Sequence, residues 1–305
     1  MMSAWELGAM LYVPATHRAL EEIGNGRKYP SLKSVAFCTE DAIAETDVPR
    51  ALDYLEAMIA QFERVKIKRF VRVRNPTVFR TILSFEGAEN LDGFILPKIS
   101  DENLDAYLQM LPSNFSGRIM LTLETRATFD VRRMIDLREK LLSSRWRTQI
   151  LALRIGGNDL LNLLSMRRPR GRTIYTTPVG LIIHQLVTVF RPFGFDLSGP
   201  VFEYLEDEKT LVREARKDLA SGLVGKTAIH PKQVPIIEKQ YAVSRRDFAA
   251  AERILSAGAT AIFRWDGAMC EPATHRRWAE EILLRSRLFG IRESERSFNV
   301  PAEDV

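Results

Sequence analysis

Short apolar runs alternate with amphipathic ones along most of this 305-residue chain. The apolar runs fall at 9–13, 34–39, 69–74, 93–97, 118–124, 150–155, around 196–201, and at 223–229. Helical patterns lie between them, at 48–64, 103–111, 130–142, 178–193 and 208–219. A strand that is followed by a helix and then another strand pairs in parallel, through a crossover. Eight such strands within roughly 230 residues predict an α/β fold, a (β/α)8 barrel. The seventh run is interrupted by Gly199 and Pro200, which weaken a strand. Past residue 241 the pattern changes to a helix at 245–257, a strand or extended arm at 259–265, a helix at 278–289 and a polar end expected to fray. The expected organisation is a barrel domain over 1–240 and a C-terminal helical extension over 241–305, packed on the barrel or on a neighbouring subunit.

A parallel barrel builds its active site from the C-terminal ends of its strands. Glu124 closes the fifth run and Asp159 follows the sixth, after Gly156-Gly157. Two such acids form a minimal cradle for Mg2+, which takes few protein oxygens and keeps waters for its substrate. Equally, Glu124 could pair with Arg126 or Arg154, and Asp159 could cap the next helix. Glu40-Asp41 follows the second run and could hold a metal-bound water, orient an arginine or cap a helix. Cations gather at the same end: Arg72 and Arg74 on the third run, Lys98 on the fourth, and Lys226 and His230 on the eighth, within Gly225-Lys226-Thr227-Ala228-Ile229-His230-Pro231. Arg72 and Arg74 are two apart and so share a face of a strand. Such cations can clamp a carboxylate or phosphate, or stabilise an enolate. At least one clamp and at least two purely structural members are expected among them.

Several function classes fall away. The formal charge of +5 suits an anionic small substrate without demanding nucleic acid. The cluster Arg167, Arg168, Arg170 and Arg172 is short and holds no aromatic residue. The apolar run 179–190 is too short to span a bilayer. No signal peptide is expected, because Glu6 interrupts the start. Cys38 and Cys270 are too few for a disulfide framework, which points to a reducing cytoplasm. Cys38 reads as a small buried residue rather than a nucleophile, and His184 as a core or interface residue. Gly225-Lys226-Thr227 lacks the first glycine of a P-loop, because Ala220 stands there; GxGxxG, GxSxG and zinc-ligand histidine spacings are absent.

Taken in order, the pieces Leu11-Tyr12-Val13-Pro14, Glu40-Asp41-Ala42-Ile43, Val71-Arg72-Val73-Arg74-Asn75-Pro76, Leu96-Pro97-Lys98, Glu124-Thr125, Gly156-Gly157-Asn158-Asp159-Leu160, Gly225 to Pro231 and Asp266-Gly267-Ala268-Met269 resemble the citrate lyase β-subunit and malyl-CoA lyase family. The likeness is collinear over about residues 9 to 289 and is similar to a divergent group associated with tellurium-resistance gene clusters. The resemblance implies a TIM barrel with Mg2+ on Glu124 and Asp159 and an enolate stabilised by Arg72, with Glu40 and Asp41 in the catalytic set. Arg74, Lys98, Arg126, Arg154, Lys226 and His230 are the substrate-binding candidates. It further implies a retro-aldol or Claisen-type lyase acting on a small anionic 3-hydroxy acid, as an acyl-CoA thioester or a phosphorylated acid, in a homo-oligomer, commonly a trimer. The chain departs from the family pattern at Cys38 and Ser198, where acids are usual, at Arg126, and in the spacing of Arg72 to Asn75. These departures keep open a decayed lyase that binds an anionic metabolite or a partner.

Overall fold

The computed structural model describes residues 2–292. Eight strands, β1 (Ala9–Pro14), β2 (Ser34–Cys38), β3 (Lys68–Arg72), β4 (Gly93–Leu96), β5 (Arg118–Leu123), β6 (Ile150–Ile155), β7 (Leu197–Ser198) and β8 (Lys226–Ala228), form one sheet in the order β7-β6-β5-β4-β3-β2-β1-β8. Every pairing in it is parallel. The two ends meet where Gly199 bridges Lys226 and donates its N–H to the Gly225 carbonyl at 3.0 Å. The sheet is therefore the barrel that the alternation predicts. Strands covered on both faces need apolar residues throughout, and β2, β4 and β6 are buried at every position.

The connecting helices are α1 (Leu20–Gly24), α2 (Val48–Ile59), α3 (Pro76–Leu83), α4 (Leu104–Leu108), α5 (Val131–Ser143), α6 (Gly157–Leu163), α7 (Val179–Phe190) and α8 (Glu208–Ala220). Their inner faces follow helical spacing: Ala51, Leu55 and Ile59 on α2, and Met134, Leu137 and Leu141 on α5. Side-chain caps fix their starts. Asn75 accepts from Val78 N ahead of Pro76, Asp130 from Arg132 N, and Asp207 from Thr210 N.

Register decides which side chains enter the barrel, since paired residues of parallel strands share a face. Met10 pairs with Thr227, and Thr122 with Arg154, which pairs in turn with Ser198. Pro14, Cys38 and Arg72 form another such set. Several strands are shorter than their apolar runs, β7 most of all, with two residues against 196–201. β3 stops at Arg72 rather than at 74, and β8 begins after Gly225, whose φ of +74 turns the chain just before it. The segment from 166 to 173 carries no helix. Within it, Arg168 is buried and bonded to Glu203, Glu214 and the Val201 carbonyl.

The chain divides into two compact units between Ile237 and Glu238, inside helix α9 (Gln233–Tyr241). The second unit contains β9 (Val243–Ser244), α10 (Arg245–Leu255), β10 (Phe263–Trp265), β11 (Ala268–Cys270), α11 (Pro272–Phe289) and β12 (Ile291–Arg292). Its core joins Ala251, Ile254, Phe263, Ala279 and Ile282. β10 and β11 pair as a hairpin across Asp266-Gly267, both at positive φ, the backbone of a type I′ turn. The expectation of a strand or arm at 259–265 thus resolves to one half of that hairpin. α11 starts at Pro272 rather than near 278, because its polar first turns carry no apolar period. The polar end expected to fray lies, from 293 on, outside the described residues.

Candidate active site

The C-terminal ends of β1, β2, β3, β5, β6 and β8 surround a cavity of about 310 Å3. Glu124, the residue after β5, is buried at its wall. Its carboxylate accepts from the Lys98 backbone N–H at 3.0 Å and from the Arg72 guanidinium at 3.1 Å. Lys98 can point its N–H there because its backbone lies in the left-handed region, with φ +53, a conformation that a side chain disfavours. Asn103 steadies that loop by donating to the Lys98 carbonyl at 2.8 Å. Asp159, near the start of α6, lines the same cavity, and its charge acts on Glu124. The structure thus brings the two acids together, and Gly156 is what makes room for them. A Cβ at 156 would stand 2.1 Å from Glu124 Oε2.

Arg72 sits at the centre of the acidic group. Its guanidinium lies 2.7 Å from Glu40, 3.1 Å from Glu124 and 3.3 Å from Asp41. The Lys98 ammonium bonds Glu40 and lies 3.6 Å from Asp41. Four carboxylates (Glu40, Asp41, Glu124, Asp159) therefore face two cations (Arg72, Lys98), an excess of two negative charges. The consequence shows at Glu124. Burial, against the pull of Arg72 and with the push of Asp159, raises its carboxyl to about 7. Burial raises Asp159 as well, with Asp41 adding to it, and raises Glu40. Acids crowded this way hold a proton between them unless a cation replaces it. A divalent ion matches both the missing charge and the all-oxygen donor set.

The remaining candidates separate by the direction their strands impose. Arg154 stands inside the barrel and lines the cavity. Lys226 does not, and its expected substrate contact is corrected here. Its partner in register is Ala9, whereas the inward Thr227 pairs with Met10. The Lys226 ammonium is wholly buried outside the barrel wall, 2.9 Å from Glu214 and 2.7 Å from Asp218 of α8. Arg74 lies beyond the end of β3 and so loses the alternation that would have kept it beside Arg72. It donates to the Glu40 and Ile43 carbonyls at 3.1 and 3.4 Å and holds the loop after β2. His230 Nδ1 accepts from Lys232 N at 3.2 Å, while Ile229 takes the place on the cavity wall. Arg126 is exposed on the 3-10 turn that follows β5. None of these four lines the cavity.

Sequence reasoning from charge passed over Tyr12, Thr122 and Thr227, which line it. Their signal was position: each is an inward residue of its strand. The Tyr12 ring lies 5.8 Å from the Arg72 guanidinium and 5.1 Å from that of Arg154, and burial raises its phenol. Burial also raises the Cys38 thiol, so this inward cysteine is a small neutral wall residue rather than a thiolate.

Comparison with known proteins gives a consistent picture. A family model described as a C–C bond lyase of the TIM-barrel fold matches residues 1–291. The chain is 24% identical over 253 residues to a (3S)-malyl-CoA thioesterase of Cereibacter sphaeroides, covering 82% of each. It superposes on a citrate lyase from Burkholderia xenovorans with TM-score 0.73 at 16% identity, covering 95% of this chain and 94% of that one. It also superposes on the protein CitE from Mycobacterium tuberculosis in complex with magnesium, acetoacetate and coenzyme A, with TM-score 0.65 at 20% identity over 92% of this chain and 98% of that one. Among the described residues, no helix is long and apolar enough to cross a membrane.

Proposed function

The chain belongs to the family of C–C bond lyases of the TIM-barrel fold, and from that premise we propose that it cleaves a carbon–carbon bond in a small anionic 3-hydroxy acid or its thioester, with Mg2+ held by Glu124 and Asp159. The excess of two negative charges around Arg72 carries this reading. The magnesium in the related Mycobacterium tuberculosis structure supports the choice of ion. Bound there, Mg2+ supplies Lewis-acid polarisation of the substrate oxygen that becomes the enolate. Arg72 adds a fixed positive charge beside that oxygen, with no reorganisation needed as charge develops. Glu40 and Asp41 hold Arg72 and Lys98 in place, and the Lys98 N–H fixes one oxygen of Glu124.

In the cleavage the 3-hydroxyl loses its proton and its carbon becomes a carbonyl. The electron pair of the broken C–C bond passes to the neighbouring carbon as an enolate, which then takes up a proton. Two variants test the assignment. Glu124→Gln combined with Asp159→Asn is expected to abolish Mg2+ binding in calorimetry; an unchanged affinity retires the metal site. Arg72→Ala is expected to lower turnover about a hundredfold or more; unchanged turnover removes it from the chemistry. Incubation with 3-hydroxy acids and their thioesters should release a 2-oxo acid or an acetyl product, whereas binding without release identifies a decayed lyase.

A further inference from the structure

Arg154 is 4% exposed and stands inside the barrel. Its guanidinium donates to the Met10 and Met120 sulfurs at 3.5 and 3.7 Å and to the Thr227 hydroxyl, and lies over the Tyr12 ring. Among the described residues, no carboxylate lies within ion-pairing distance of it. Arginine does not shed its proton in a protein, so the charge persists. A buried charge without a counter-charge is costly, and sulfur and a ring face compensate it poorly. Arg72, by contrast, has three carboxylates around it.

A second observation points to the same place. Thr122 is the register partner of Arg154 on β5 and lines the same cavity. Its Oγ1 is buried without a hydrogen-bond partner. A cation and an unused hydroxyl therefore adjoin on the inward face of neighbouring strands, with the Thr227 hydroxyl beside them.

We infer that Arg154 and Thr122 form a seat for a carboxylate inside the barrel, so that the substrate is a diacid whose second carboxylate enters the barrel while its reacting end stays at the acidic group. This rests on the cavity being the substrate site. The ion that balances the excess at Glu124 and Asp159 leaves Arg154 as the uncompensated charge. One guanidinium matches the single charge of a carboxylate and its flat pair of oxygens, and leaves a phosphate dianion half neutralised. A thioester, where the substrate carries one, belongs at the open end of the cavity and not on this seat.

The test titrates full-length protein with succinate, with butyrate as the matched monoacid, and with inorganic phosphate. Two backgrounds are used: wild type with saturating Mg2+, and Glu124→Gln/Asp159→Asn without metal. In the second, Arg72 and Lys98 balance Glu40 and Asp41, so the seat is read independently of the metal. Succinate is expected to bind roughly tenfold or more tightly than butyrate in both backgrounds. Arg154→Met should erase that preference, and Thr122→Val should reduce it severalfold. Ligand-free Arg154→Met should melt no lower than wild type, because an uncompensated charge has gone; a clear drop, or failure to fold, makes Arg154 structural and overturns the seat. Equal binding of the two acids, no binding of either, or phosphate binding more tightly than succinate also overturns it. A preference seen only in the metal-free background, with no Mg2+ binding to wild type, keeps the seat and refutes the metal assignment instead.

Discussion

A methyl group at position 156 would stand 2.1 Å from Glu124 Oε2 and 2.4 Å from its Cβ, inside any real contact distance. Either the carboxylate moves or the β6–α6 turn does, and both disturb the approach of Glu124 to Asp159. Gly156→Ala is therefore expected to weaken Mg2+ binding by tenfold or more while costing about 1–3 kcal/mol of stability. Calorimetry and denaturant unfolding read the two effects separately; unchanged metal affinity would mean that Glu124 does not need this space. Acids and glycines of this kind were legible in the sequence, because motif order placed Glu40, Asp41, Glu124 and Asp159 at strand ends. What charge alone could not resolve was direction. Lys226 and Thr227 are neighbours in the chain, yet one faces α8 and the other the cavity. A one-residue uncertainty in where β8 begins reverses that assignment. Arg74 failed for a related reason: the alternation that linked it to Arg72 ends with the strand.

At the scale of elements, α8 and β8 are joined by a buried ionic cluster. Lys226 bonds Glu214 and Asp218, Arg168 also reaches Glu214, and the Tyr175 hydroxyl donates to Asp218 at 2.8 Å. Lys226→Met would leave the buried Asp218 carboxylate without a cation and Glu214 with Arg168 alone, and is expected to cost about 3–5 kcal/mol in denaturant unfolding. A cost below 1 kcal/mol would show that the cluster adds little to the wall. Burial raises the Asp218 carboxyl despite Lys226. The folded state thus binds this proton more readily than the unfolded chain. Its stabilising contribution is present at low pH and lost as pH rises through the folded value. Removing Lys226 raises that value further, so the deficit of the variant should shrink as pH falls from 8 towards about 5. The helices of this layer were legible from their period, whereas the burial of Arg168, set between the exposed Arg167 and Arg170, was not. An arginine in a polar stretch looks solvated until an acid such as Glu214 of α8 is known to face it.

Over the molecule as a whole, the barrel is held unevenly. β1 to β6 pair along four or five residues each except where β3 meets β4, while β7 spans two residues and touches β8 through the Gly199–Lys226 bridge. Glycine and proline at 199 and 200 explain the shortness, and the same pair made this strand the hardest to read from sequence. Backbone amides of 197–199 and 226–228 should exchange with deuterium sooner than those of β2, β3 and β5, in native conditions. Equal protection around the barrel would show that the ionic cluster compensates fully for the missing ladder. A hooped vessel gives way at its shortest lap. Here the Arg154–Thr227 contact spans that lap from β6 to β8, whereas Arg72 and Glu124 clasp each other on the far staves. Gentle heating would thus blunt the discrimination between diacid and monoacid while the ion is still gripped, and the order of those two losses is a property of the joinery rather than of the chemistry.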